Sequence, residues 1–207
     1  MRFTCLSADK QKCCQKHRSQ PPYSISKPDL MPYATQLSSS SPWRAGLRAK
    51  EIAQLKWGCL LSADGNISDV VALDNRYTKG TSGRIIPINR DLRGALDAWL
   101  AEFKRCYRID DTQPLESWNV ITTSRSYQTT AQVIVNTMRD WYADLGFVGA
   151  SSHSGRRTFI TNAAKQVFKA GGSLRDVQEL AGHKSIAMTQ RYIEGDSEAK
   201  RRLVDLI

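Results

Sequence analysis

The chain has 207 residues, is 41% hydrophobic and carries a formal net charge of +10 with a pI near 9.6, so it can bury one good core but is small for two full domains. The basic balance favours a polyanionic partner, with nucleic acid ahead of an anionic membrane surface. The sequence has no run of about eighteen apolar residues to span a bilayer and no apolar signal-peptide core, and its five cysteines at irregular spacing argue against a disulfide framework and for a reducing, cytoplasmic compartment.

Residues 1 to 43 concentrate proline, a run of four serines and three of the five cysteines, with no sustained helical or strand period. That composition predicts a poorly ordered segment, set apart from a folded unit over residues 44 to 207. Cys13, Cys14 and His17 fall close together in it, but no second pair nearby completes four metal ligands.

From Ala45 the pattern changes. In AGLRAKEIAQLKW, Arg48, Ile52 and Leu55 recur at i, i+4 and i+7, so the spacing predicts a helix whose apolar face carries an arginine. Glu51 is three residues on and in reach of it; taken alone, such a pair is an ordinary helical ion pair worth roughly a few tenths of a kcal/mol. Stretches 66 to 73 and 84 to 88 are rich in Val and Ile and predict two strands, joined through NRYTKGTSG by hairpin chemistry. That glycine run is not a phosphate-binding P-loop, since no G-K-[ST] follows a four-residue gap.

Leu92, Leu96, Leu100 and Phe103 place a core-packing helix at about 90 to 105, and 106 to 128 reads as irregular. A second long helix is expected from about 130 to 145, with Val133, Val135, Met138, Trp141 and Tyr142 as its apolar positions. A third, at about 155 to 169, lines up Phe159, Ile160, Ala163, Ala164 and Val167, with Arg156 inside that stripe. A guanidinium keeps its charge and is costly to desolvate, so an arginine aimed into a core has an anion waiting, either a carboxylate or a phosphate. Beyond a KAGGS loop, Leu180 and Ala181 end a short helix, Gly182 suits its C-terminal cap, and Ser185 caps a last helix carrying Tyr192.

His153, Arg156, His183 and Tyr192 thus sit in HSGRR and LAGHKSIAMTQRYI, as H-x-x-R, then G-H, then a tyrosine nine residues after that histidine. The pattern resembles the catalytic core of the tyrosine recombinases, the phage integrase family. GLRAKEI resembles the first arginine motif of the same family, which makes Arg48 a phosphate ligand and Glu51 its support. The family's catalytic lysine, in a hairpin just before a glycine, matches Lys79. The resemblance implies an α+β, mainly helical catalytic domain with a small antiparallel sheet. It implies double-stranded DNA as partner and a C-terminal tail that docks onto a neighbouring protomer. It covers about residues 45 to 195, without the helical DNA-clamping domain or apolar lead-in helix that the family places ahead, so a copy shortened at its N-terminus is expected.

The residue types then fit a mechanism. Arg48 and Arg156 clamp the nonbridging oxygens of a phosphodiester, and Tyr192 attacks phosphorus to give a 3′-phosphotyrosine. Lys79 protonates the leaving 5′-oxygen, His153 exchanges the tyrosine's proton, and His183 hydrogen-bonds the phosphate. Because the phosphotyrosine stores the bond energy, rejoining needs no ATP. No carboxylate cluster or Cys/His quartet is in the sequence to hold a catalytic ion, so no metal or other cofactor is expected. The alternatives are a catalytically silent DNA-binding remnant and a type IB topoisomerase, for which the chain is short.

Overall fold

The computed structural model describes residues 45–77, 83–110, 112–123 and 126–192, together with Arg201, Val204 and Asp205. The expectations for residues 1 to 43, for the Lys79 hairpin tip and for most of the C-terminal tail lie outside the described residues. In chain order the described elements are α1 (Ala49–Gln54), a 3-10 turn (Trp57–Cys59), β1 (Val70–Leu73), a second 3-10 turn (Asn75–Tyr77), β2 (Arg84–Pro87), α2 (Arg90–Tyr107), α3 (Ala131–Asp144), α4 (Ser152–Gln166), α5 (Leu174–Ala181) and α6 (Ile186–Gln190). The fold is mainly helical with one small antiparallel sheet, in which Val70 pairs with Pro87 and Leu73 with Arg84.

Two hydrophobic clusters organise these elements. The larger gathers α1, the sheet, α2 and α3 around Trp57 and Phe103, both fully buried. Trp57, Trp99 and Trp118 all meet Phe103 edge-on, with ring centroids 5.3, 6.0 and 6.1 Å away. The Trp99 indole N–H donates to Val120 O at 2.9 Å and ties the irregular 112–123 stretch to α2. The smaller cluster joins α4 and α5 through Ile160, Ala164, Val167, Val177 and Ala181, with Phe159 and Tyr192 packed against it.

Helix ends follow local chemistry. α2 starts where Asn89 accepts from Leu92 N at 2.9 Å, and α3 where Thr130 accepts from Val133 N at 3.3 Å. α5 stops at Gly182, whose φ of 59° is the left-handed conformation glycine adopts without a Cβ penalty.

Three expectations are corrected. Arg48 does not lie within the first helix; it is the extended residue that caps α1, and Leu55 closes the other end. The Arg48 backbone N–H donates to Glu51 Oε2 at 2.7 Å, so the glutamate starts the helix one residue after the arginine. In α3 the buried stripe is Ile134, Met138 and, half-buried, Trp141, whereas Val133 is exposed. Tyr192 lies two residues beyond the end of α6, its N–H donating to Thr189 O at 3.0 Å.

One glycine brings the two clusters together. Gly46 has φ 61°, and a Cβ there would lie 2.4 Å from the Phe159 ring of α4. A side chain would therefore be strained in backbone and would push α4 off the 45–48 segment. Gly46→Ala is expected to lower stability by about 2 kcal/mol or more, read as a fall in the thermal midpoint. An unchanged midpoint would mean that the close Phe159 approach is not needed.

Candidate functional site

The end of α5 has carbonyls that no further helical turn can satisfy, and it presents the negative end of the helix dipole. Three arginines from separate parts of the chain converge on it. Arg84, at the start of β2, donates Nε–H to Leu180 O at 2.9 Å. Arg156, in the second turn of α4, donates through Nη2 to Ala181 O and through Nη1 to Gly46 O. Arg48 donates Nη2 to Gly182 O at 2.9 Å. Three successive carbonyls thus each hold a different guanidinium.

Glu51 is the carboxylate among them. Its oxygens accept from Arg84 at 2.9 and 3.0 Å, and Oε1 also accepts from Arg48 at 2.8 Å. Burial alone would raise the Glu51 pKa, but hydrogen bonds and charge from Arg84, then from Arg48, outweigh it and hold the carboxyl below its ordinary value. The Arg84 and Glu51 side chains are only 5% and 2% exposed, whereas that of Arg48 is 31% exposed. Arg84 and Glu51 therefore form the buried pair, and breaking such a pair costs about 3–5 kcal/mol.

Among the described residues at this helix end, positive charge exceeds negative. Arg48, Arg84 and Arg156 face one carboxylate, and burial followed by the Arg48 charge lowers the Arg156 pKa to about 10, with Arg84 adding to the effect and Glu51 opposing it. Arg156 is still charged at neutral pH. Among the described contacts Arg48 and Arg156 each commit two guanidinium N–H groups, so three on each remain for a ligand.

His183 follows Gly182 directly and is buried. Its Nδ1 hydrogen-bonds Thr189 Oγ1 at 3.0 Å, and its ring stacks on that of Tyr192 with centroids 5.7 Å apart and planes 21° from parallel. Burial, then the charges of Arg156, Arg48 and Arg84, lower its pKa to about 4, so the ring is neutral at pH 7. Beside Tyr192 a concave surface of about 240 Å³ is lined by Arg157, Met188 and Arg191.

Acid stability follows with a definite sign. His183 takes up its proton more readily in the unfolded chain, near 6.5, than in the fold, near 4, so stability falls as the pH drops across that window. Glu51 acts in the same direction at lower pH, since a depressed carboxyl pKa contributes stability above its ordinary value and loses it as the pH falls through the folded one. NMR of the His183 ring should give a titration midpoint near 4; a midpoint near 6.5 would place the ring outside the arginine field.

Of the residues expected from sequence, the structure brings together Arg48, Glu51, Arg156, His183 and Tyr192. His153 is exposed on the first turn of α4, with no hydrogen bond or ion pair among the described residues. Lys79 lies outside them. Two residues were missed. Arg84 shares the inward face of β2 with buried Ile86, which the strand's two-residue period could have signalled. Thr189, fully buried, carries no sequence signal beyond its position six residues after His183.

A sequence model of the phage integrase family matches residues 42–198. The chain belongs to this family. It is 29% identical over 167 residues to the tyrosine recombinase XerC of Shewanella amazonensis, covering 77% of this chain and 53% of that protein. It is 30% identical over 185 residues to the tyrosine recombinase XerD of Brucella abortus, covering 78% and 57%. This integrase-family chain thus spans about half the length of the curated relatives it matches. Among solved structures, the fold is similar to that of the XerA recombinase, with a TM-score of 0.59, 21% identity, and 89% of this chain and 65% of the other covered. It is also similar to the Tn1549 transposon integrase in complex with a circular intermediate DNA, with a TM-score of 0.58, 17% identity, and 100% and 67% covered.

Proposed function

We propose that this chain is the catalytic unit of a site-specific DNA recombinase, which cleaves and rejoins duplex DNA through Tyr192. The observation that carries the reading is the convergence of Arg48, Arg156 and His183 around the α5 terminus, with the Tyr192 ring stacked on that histidine. A phosphodiester gains charge on its equatorial oxygens in the transition state, and fixed guanidinium donors stabilise that charge without reorganising. Tyr192 Oη bonds to phosphorus as the bond to the 5′-oxygen breaks; the products are a 3′-phosphotyrosine and a 5′-hydroxyl. Lys79 supplies the proton to the 5′-oxygen, and His153 takes the tyrosine's.

His183 binds the phosphate as a neutral ring. Having one proton, it donates from Nε2 while Nδ1 accepts from the Thr189 hydroxyl. Rejoining reverses the step with another strand's 5′-hydroxyl. The catalytic unit runs from 44 to 207, and its C-terminal tail docks onto a second copy on DNA.

The test is covalent capture. The protein is incubated with a pool of short nicked duplexes of randomised sequence, denatured, and the trapped DNA is sequenced. A denaturant-stable adduct through Tyr192 with an enriched sequence is expected. Binding without an adduct would favour a DNA-binding remnant. Adducts with no enriched sequence, together with relaxation of supercoiled plasmid, would favour a topoisomerase.

A further inference from the structure

Resting on the phosphate-clamp reading of Arg48, we propose that Arg84 is a positioning residue for this reaction, holding the Glu51 carboxylate and the α5 terminus in the geometry that aims Arg48 at the scissile phosphate. The Arg84 guanidinium is almost wholly buried, and all its described contacts go to parts that hold Arg48: both Glu51 oxygens and the Leu180 carbonyl. Arg48 in turn takes its two side-chain contacts from Glu51 and from Gly182 O, two residues beyond Leu180. Arg84 thus grips the same two supports from behind.

The fit leaves room for nothing larger. A Cβ on Gly182 would lie 2.8 Å from Arg84 Nη1, so the glycine that ends α5 also admits the guanidinium. An ion pair whose only task is stability needs no third contact on a helix end. Here the planar fork spends Nη1 and Nη2 on the carboxylate and Nε on the carbonyl, an arrangement that fixes both supports relative to each other. Lysine, a point charge, can satisfy one of them and not both.

Arg84→Lys keeps the charge and is compared with Arg84→Gln by two readouts, each corrected for the folded fraction. The first is the rate of adduct formation on the nicked duplex pool. Arg84→Lys is expected to slow it by about 10-fold, the size typical when an orienting partner is lost, with DNA affinity retained and partial rescue relative to Arg84→Gln. In an Arg48→Ala background, Arg84→Lys is expected to add less than about 2-fold, because it acts through the arginine already removed. The second readout needs no DNA: the Arg48 Nε–H NMR resonance, assigned by its loss in Arg48→Ala, is expected to move and broaden in Arg84→Lys. A full 10-fold loss persisting without Arg48, or an unmoved Arg48 resonance, would overturn the proposal. Absence of any adduct from the wild-type chain would instead overturn the recombinase reading, and the resonance would still decide the role of Arg84.

Discussion

Tyr192→Phe is expected to abolish the denaturant-stable protein–DNA adduct while leaving DNA binding and the thermal midpoint close to those of the unaltered chain. The substitution removes one oxygen. The ring that stacks on His183 at 5.7 Å and packs against the Ile160 cluster is kept, so neither the histidine nor the α4–α5 contact loses its neighbour. The chemical loss, by contrast, is total, because a phenyl ring has no nucleophile to bond phosphorus. Tyr107, Tyr127 and Tyr142 are poor substitutes. Tyr107 Oη is 2.8 Å from Thr122 Oγ1, and burial raises the pKa of Tyr107, Tyr127 and Tyr142, the last to about 12. Each is thus harder to ionise than a free phenol. Peptide mapping of the trapped DNA decides the matter: an adduct that survives in the Phe variant at another tyrosine would remove Tyr192 from the reaction.

Much of this architecture was legible because the chemistry is local. Glycine at 182 ends α5 as expected, and Leu92, Leu96, Leu100 and Phe103 recur at helical steps and are all buried. The four-residue signature of His153, Arg156, His183 and Tyr192 pointed to the family since identified over residues 42–198. What the sequence obscured depends on contacts distant along the chain. Arg48 looked helical because Ile52 and Leu55 follow it at the right steps, yet its N–H is taken by Glu51 and its side chain by a carbonyl 134 residues away, which holds it extended at the cap.

Arg84 was hidden for the same reason. In isolation RIIP is an arginine opening an apolar strand, and nothing local says that Glu51, 33 residues earlier, lies opposite. The α3 stripe was misphased because Val133 and Ile134 are equally apolar, and only the position of the core selects Ile134. Periodicity therefore located the elements, whereas the carboxylate and carbonyl partners of the arginines required the fold.

Arg48→Ala and Arg156→Ala are each expected to lower DNA cleavage by about 100-fold or more, the usual loss when one preorganised donor to a charged transition state is removed. Their effects on stability should differ. Arg156 is 7% exposed and links α4 to two chain segments through Gly46 O and Ala181 O. Its removal strands two buried carbonyls, at about 1–3 kcal/mol for each left unsatisfied. The Arg48 side chain is 31% exposed, and the Glu51 carboxylate it leaves still has both oxygens held by Arg84. The thermal midpoint should therefore fall clearly in Arg156→Ala and little in Arg48→Ala, although both lose cleavage. Lysine should rescue poorly at either position, since it supplies charge without the fork that reaches a carbonyl and a phosphate together. Cleavage rates corrected for folded fraction separate the two effects. Near-normal rates in both alanine variants would mean that the guanidiniums at the α5 terminus are architecture alone, and that the anion their charge calls for is not the phosphate of the reaction.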